Sequence, residues 1–247
     1  MTTKMKKGLL FQGLLVVLFS FVLALAGCGG GGGGGGAAGE VPVVLGQSGP
    51  GDAGSHFPFA IGNQWQFQVS GNEDGLPSQG FDTTVTITGT RVVGGQTVTV
   101  FQESNPDGSG IAEEEFFVKD LNGIANFGNN AALDTITPQL VPFWEIRFPL
   151  EAGASFVALD RKGLNFDEDL DGDAVNETFD VKVVVTTVGF ESVTVPAGTF
   201  ANSARVRADI TLSIIFSSDG SRVPATDIST SWYAPESARS KPRVNSG

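Results

Sequence analysis

Beyond residue 56, hydrophobic and polar positions alternate along most of the chain. Trp65, Phe67 and Val69 interleave with Gln64, Gln66 and Gln68, and Val85 and Ile87 share one face of the stretch 83–88. The longest run sets Ala204, Val206, Ala208, Ile210, Leu212, Ile214 and Phe216 against Arg205, Arg207, Asp209, Thr211 and Ser213. A period of two predicts half-buried strands. The last run would extend roughly 43 Å, long for a strand, and strands of that length curl. No stretch after residue 56 keeps a helical period. The pattern therefore predicts an all-β domain of curved antiparallel sheet, a half-barrel or open barrel.

Shorter signals add detail. Val92 to Val98 reads as a hairpin turning at Gly94-Gly95. Glu113 to Lys119 is a strand closed by the turn residues Asp120-Leu121-Asn122-Gly123. Ser155 to Leu159 and Val181 to Val188 are strands, the second with Val183, Val184 and Val185 in a row, which suggests burial on both faces. Val195-Pro196-Ala197-Gly198 carries Pro and Gly at the second and fourth places of a type I turn. Asn126 to Pro142, with Pro138 and Pro142, reads as an irregular connection.

One segment occurs twice. Phe57-Pro58-Phe59-Ala60-Ile61-Gly62-Asn63-Gln64-Trp65 and Phe148-Pro149-Leu150-Glu151-Ala152-Gly153-Ala154-Ser155-Phe156 share Phe-Pro, Gly and a closing aromatic at equal spacing. Each reads as a fixed entry, a glycine turn and a strand whose first aromatic fills the core. Two similar β halves follow, 56–147 and 148–235, with a tail at 236–247.

The N-terminal part has another character. Lys4, Lys6 and Lys7 precede Leu14 to Ala26, an uncharged run interrupted only by Ser20, which is the make-up of a secretory signal peptide over 1–27. An uncleaved span over Gly8 to Ala26 is the alternative. Gly29 to Gly36 is all glycine, and the stretch 28–55 stays poor in side chains that could be buried. A flexible tether of roughly 30 Å is expected there.

Composition narrows the function classes. The chain carries a formal charge of −12, and loss of 1–27 removes three lysines and no acid. Such a surface repels nucleic acid, so no nucleic-acid role is expected. Cys28 is the single cysteine and His56 the single histidine. No disulfide can form within the chain, and a Ser-His-Asp triad or multi-histidine metal site would have to use His56 or nothing. His56 reads as an exposed linker residue. No catalytic constellation emerges, and the chain is not expected to be an enzyme.

Two acidic stretches invite a chemical reading. Asp167, Asp169 and Asp171, followed by Gly172 and Asp173, resemble the start of the calcium loops of EF-hands and dockerins, where alternating carboxylates converge on a hard cation and glycine permits the turn. The bidentate Glu expected at the twelfth position is Thr178 here, with Glu177 and Asp180 nearby. The site residues are thus Asp167, Asp169, Asp171 and Asp173 with Ca2+ as cofactor, against a solvated hairpin tip held by Asp turn chemistry. In Glu113-Glu114-Glu115 the side chains must alternate in direction, and a solvated face or strand edge is expected.

Leu25-Ala26-Gly27-Cys28 resembles the lipobox of bacterial lipoproteins. That resemblance implies cleavage before Cys28, diacylglycerol on its sulfur and acylation of its new amino group. The chain would then be extracytoplasmic and anchored to the membrane through Cys28. Gly29, where Asp would signal retention, implies the outer membrane. Phe57 to Trp65, Val193-Thr194-Val195-Pro196-Ala197-Gly198-Thr199-Phe200 and Trp232-Tyr233-Ala234-Pro235 together resemble a group of uncharacterised bacterial lipoproteins. Where such proteins continue Ala-Pro-Gly-Val-Gly into a closing strand, this chain has Glu236-Ser237-Ala238-Arg239, which implies an altered final strand. The group carries no established activity; a non-enzymatic binding or structural β domain of the envelope, its partner an unidentified envelope protein, is the function expected for this chain. A periplasmic carrier of an apolar ligand or lipid is the alternative, suggested by nineteen Phe and the apolar face from Ala204 to Phe216.

Overall fold

The structure, a computed structural model, describes residues 56–234 except 58, 70–71, 74–75, 78–79, 133 and 196–197, with 72–73 and 76–77 described only in backbone. The signal peptide, Cys28, the glycine tether and the tail lie outside the described residues.

Alternation becomes sheet almost everywhere. A six-stranded antiparallel sheet runs in the order β1 (Gln64–Val69), β4 (Phe81–Val93), β5 (Gln96–Glu103), β6 (Glu113–Lys119), β7 (Gly123–Asn129), β8 (Phe143–Arg147), and curls as a half-barrel. Between β1 and β4 a two-residue pair, β2 (Asn72–Glu73) and β3 (Leu76–Pro77), forms its own ladder. The second sheet has the order β12 (Arg222–Tyr233), β11 (Gly198–Ile215), β10 (Thr178–Val195), β9 (Ser155–Asn165). One helical turn, α1 (Thr137–Leu140), completes the described residues. The all-β curved antiparallel architecture is the one the alternation predicts.

The two entry turns correspond bond for bond. In the first, Asn63 N donates to Ala60 O, Gly62 N to Ile87 O, and Ile87 N to Asn63 O. In the second, Ala154 N donates to Glu151 O, Gly153 N to Thr187 O, and Thr187 N to Ala154 O. Gly62 and Gly153 hold φ of 91° and 84°, a conformation that costs glycine nothing and other residues a good deal. Each entry leads into an edge strand. Gln64 pairs with Thr86 and Ser155 with Thr186. The partner strands then bulge at matching places, Ile87/Gly89 and Thr187/Gly189. Thus the order β1-β4-β5-β6 recurs as β9-β10-β11-β12, while β2, β3, β7, β8 and α1 have no counterpart.

Three apolar clusters hold the sheets. The inner face of β11 (Val206, Ala208, Ile210, Leu212, Ile214) packs with Phe179, Val181, Val183 and Val185 of β10, with Leu159, and with Ile136, Leu140 and Phe143. Val85, Ile87, Phe101, Phe117, Ile124 and Ile146 form a second cluster, joined by Phe57, Phe59, Trp65 and Phe67. Trp65 stacks on Phe101 at 6.3 Å, so the first aromatic of that strand does fill the core. Val98, Val100 and Phe116 cover the other face of the first sheet. Tyr233, at the end of β12, packs against both main clusters and marks the seam between the sheets.

Several local readings are corrected. Residues 126–142 are not one irregular connection, because β7 occupies Gly123–Asn129 and α1 occupies Thr137–Leu140. Burial of both faces of β7 erased its alternation. Pro138 sits in the first helical turn, where the absent N–H has no partner to lose. Asp134 Oδ1 accepts from Ile136 N and Thr137 N, both at 2.9 Å, and caps that turn. The valine run in β10 alternates, with Val183 and Val185 buried and Val184 half-buried. Its two buried valines face the core of the second sheet.

Candidate functional site

The acidic loop joins β9 to β10 and is anchored at both ends. Phe166 is buried and meets Phe179 edge-on at 6.1 Å, and Leu170 packs on the core of the second sheet. Phe166 N donates to Glu177 O and Glu177 N to Glu168 O, both at 2.9 Å, which draws the loop's end back over its start. Asp167, Gly172 and Ala174, at φ of 62°, 87° and 70°, wind the intervening backbone tightly.

The four aspartates do different work. Asp169 Oδ1 accepts from Gly172 N at 2.6 Å and its Oδ2 from Ala174 N at 2.9 Å. Asp171 Oδ2 accepts from the Ser218 hydroxyl at 2.6 Å, and this contact holds its carboxyl below the ordinary carboxylate range. Asp173 accepts from Ser217 Oγ and Val175 N, both at 2.8 Å. Asp167 Oδ1 meets Asn176 Nδ2 at 3.3 Å. The loop is thereby tied to the Ser217–Ser218 turn that leads from β11 to β12.

Glu177 completes the geometry. Carboxylate oxygens of Asp169, Asp171 and Glu177 lie within 4.8 Å of one another, and no other group of three acids, histidines or cysteines does so among the described residues. Glu177 is 0% exposed; its Oε2 accepts from Leu170 N at 2.9 Å, and its Oε1 is enclosed without a hydrogen-bond partner. Of the four aspartates read from the sequence, the structure gathers Asp169 and Asp171 here, and leaves Asp167 and Asp173 to local hydrogen bonds. The spacing rule of the EF-hand looked for Glu one place later, at 178, whereas the loop folds back at 177.

A second acidic group lies inside the first sheet. Phe101 is opposite Glu115, and Glu103 opposite Glu113, so Glu103, Glu113 and Glu115 line the same face as the Phe101–Phe117 cluster. A register shift between β7 and β8 brings Glu145 into reach of Asn126, whose Nδ2 donates to Glu145 Oε1 at 2.9 Å. Glu103 is 4% exposed, and both its Oε1 and Oε2 of Glu115 are enclosed without partners. Burial pushes Glu103 up to about 6 and Glu145 up to about 7, and the neighbouring carboxylates add to burial in raising Glu115 well above its usual range. Glu113 is raised as well, by burial and then by Asp107 and Asp134.

This corrects the expectation of a solvated face or edge for Glu113-Glu114-Glu115. Strand β6 lies between β5 and β7 and all three acids are half-buried, Glu114 on the opposite face from Glu113 and Glu115 and paired with Arg91 at 2.7 Å. The alternation of direction was legible; which face was covered was not. Glu145 had no signal in the sequence, because a bulge sets its direction. His56 is half-buried instead of an exposed linker residue, its ring 5.8 Å from Phe190 and its Nε2 3.4 Å from Asn202 O.

No family of proteins, no curated protein and no solved structure matches this chain.

Proposed function

We propose that the chain is a lipid-anchored protein of the bacterial envelope, held by Cys28, whose non-enzymatic β domain is stapled by a calcium ion at Asp169, Asp171 and Glu177. Its signal segment and lipobox support export and anchoring to the outer membrane, and its acidity fits an absence of nucleic-acid partners. Multiple acyl chains on Cys28 would supply the stable anchoring that one chain lacks.

The observation that carries the calcium reading is Glu177 Oε1. A carboxylate enclosed by protein with one oxygen unpartnered is costly unless a positive charge meets it. Here two more carboxylates present oxygens within 4.8 Å. A hard cation with oxygen ligands and a flexible coordination shell is the chemical match, and calcium suits it better than magnesium, which demands a stricter octahedron. The ion would offset part of the loop's negative charge and tie β9, β10 and the β11–β12 turn together. The apolar face of β11, which suggested a lipid carrier, is filled by the domain's own core, and this favours a structural or protein-binding domain.

Calorimetry and thermal melting of the mature domain test the ion. Calcium at a hundredfold excess over its Kd stabilises by about 2.7 kcal/mol, a rise in Tm of roughly 5–10 °C. Glu177→Gln should abolish it. A calcium-independent melt at millimolar calcium, shared by wild type and Glu177→Gln, would remove the reading. For the anchor, Cys28→Ser should lose labelled palmitate and leave the membrane fraction; retention of both would overturn it.

A further inference from the structure

We propose that Glu103, Glu113, Glu115 and Glu145 form a proton-held latch at the seam of the two sheets, closed while the carboxyls keep protons and loosened as the protons leave.

The register places these groups with no choice. Glu103 and Glu113 are direct cross-strand partners and Glu115 lies one pair further along the same face. Like charges opposite each other in a sheet repel, so this pairing is unfavourable if all are ionised. The cations of these strands make other contacts. Arg91 pairs with Glu114 on the other face and lies 5.2 Å from the Phe116 ring. Lys119 donates to Phe57 O, and Arg147 lies 4.9 Å from the Trp144 ring. Asn126 on β7 and Thr83 on β4 are the neutral partners, of Glu145 and Glu103 respectively. Asp107 and Asp134, from the flanking loops, add further negative charge near Glu113.

The cheapest way to satisfy enclosed, unpartnered carboxyl oxygens among like charges is to retain protons, which removes charge and supplies donors. Tyr233 connects the cluster to the other sheet. It packs on both main cores, and burial followed by the charge of Glu145 raises its hydroxyl pKa. Ionising Glu145 therefore places charge where β12 meets the first sheet.

The sign follows from the upward shifts. Each group is more acidic in the unfolded chain, so the protonated native state is favoured below the unfolded value near 4.5. That advantage is lost as pH rises through the folded values, about 6 for Glu103 and about 7 for Glu145, and through the raised value of Glu115. Each retained proton changes the unfolding constant by about tenfold per pH unit in that window.

Urea unfolding of the mature domain at fixed saturating calcium, from pH 5 to pH 8, should show the unfolding constant rising on the order of a hundredfold. Glu115→Gln and Glu145→Gln should each flatten the rise and exceed wild type in stability at pH 8. Tyr233 is the single tyrosine, so a 13C label on its ring gives one resonance at the seam. It should titrate between pH 5 and 8 in wild type and stay flat in Glu145→Gln. The latch is wrong if the pH slope is unchanged in the Gln variants that fold, or if the Tyr233 resonance titrates equally in Glu145→Gln. Should Glu115→Gln not fold, Glu103→Gln and Glu145→Gln carry the same comparison.

Discussion

The acidic loop and the inner face of the first sheet are both rich in carboxylates, yet Asp171 of the loop and the glutamates of the sheet are shifted in opposite directions. In the loop the Ser218 hydroxyl lowers Asp171, and in the adjoining β11–β12 turn Ser221 lowers Asp219. Inside the sheet, desolvation outweighs the few donors, and Glu103, Glu115 and Glu145 are raised. Acid density along a sequence therefore says little about charge. What decides it is the number of donors within reach against the amount of water removed. The two regions also act in opposite directions on stability. Asp171 loses its contribution as pH falls through its lowered folded value, and the interior loses its contribution as pH rises through raised ones.

The largest effect on this contrast should come from Gly123→Ala. Gly123 has φ of 152°, and an added Cβ would lie 1.9 Å from Ile146 O. Neither backbone can yield without parting β7 from β8, the two strands that bring Asn126 to Glu145. A loss of at least about 3 kcal/mol is expected in urea unfolding, in the class of strained backbone substitutions. A loss below about 1 kcal/mol would mean that the interior cluster does not depend on this close approach.

Next in size is removal of the cation. With calcium in hundredfold excess, Glu177→Ala should forfeit the whole of the roughly 2.7 kcal/mol that the ion supplies. Addition of EDTA to wild type should give a similar loss, while the pH slope of the interior cluster stays as before. If EDTA altered that slope, the two regions would be coupled and the contrast between them would fail.

A smaller effect belongs to Asn126→Ala. It deletes the amide donor to Glu145 Oε1 and should cost about 1–2 kcal/mol, the usual range for a hydrogen bond to a buried carboxyl. Because this donor is what lowers Glu145 against burial, its loss should move the alkaline limb of the stability profile to higher pH. A limb that stays in place would show that Glu145 does not titrate in that window.

These regions also differ in how far the sequence disclosed them. Alternation marks the strands where one face is wet, as in β11, and the recurring Phe-Pro entry reappears as matching turn hydrogen bonds at Gly62 and Gly153. It failed in β7, where burial of both faces leaves no period to read. The grouping of Asp169 and Asp171 was legible because carboxylates of one loop converge by local spacing. Glu177 was missed by one position, since its place depends on Phe166 and Leu170 anchoring the loop. Strand β6 could be read as three alternating acids, but its neighbours could not, and Glu103 and Glu145 join it only through long-range register and a bulge. Spacing along the chain finds sites built by one loop; sites built across strands need the sheet order first.

The smallest effect should be that of Ser218→Ala, and its direction is the most specific test of the loop. The Ser218 hydroxyl donates to Asp171 Oδ2 and is the main cause of that group's lowered pKa. Without it Asp171 should hold its proton to higher pH. A lowered folded value stabilises above the unfolded value and ceases to do so as pH falls through the folded one, so the acid limb of unfolding should shift upward. Calcium competes with protons for the same oxygens, and its binding below about pH 5 should weaken more in Ser218→Ala than in wild type. At pH 7 Asp171 is ionised in both proteins, and affinity should be unchanged or rise as the freed Oδ2 turns to the ion. Weaker binding at pH 7 would instead show that Ser218 positions the loop, which would make the β11–β12 turn part of the site.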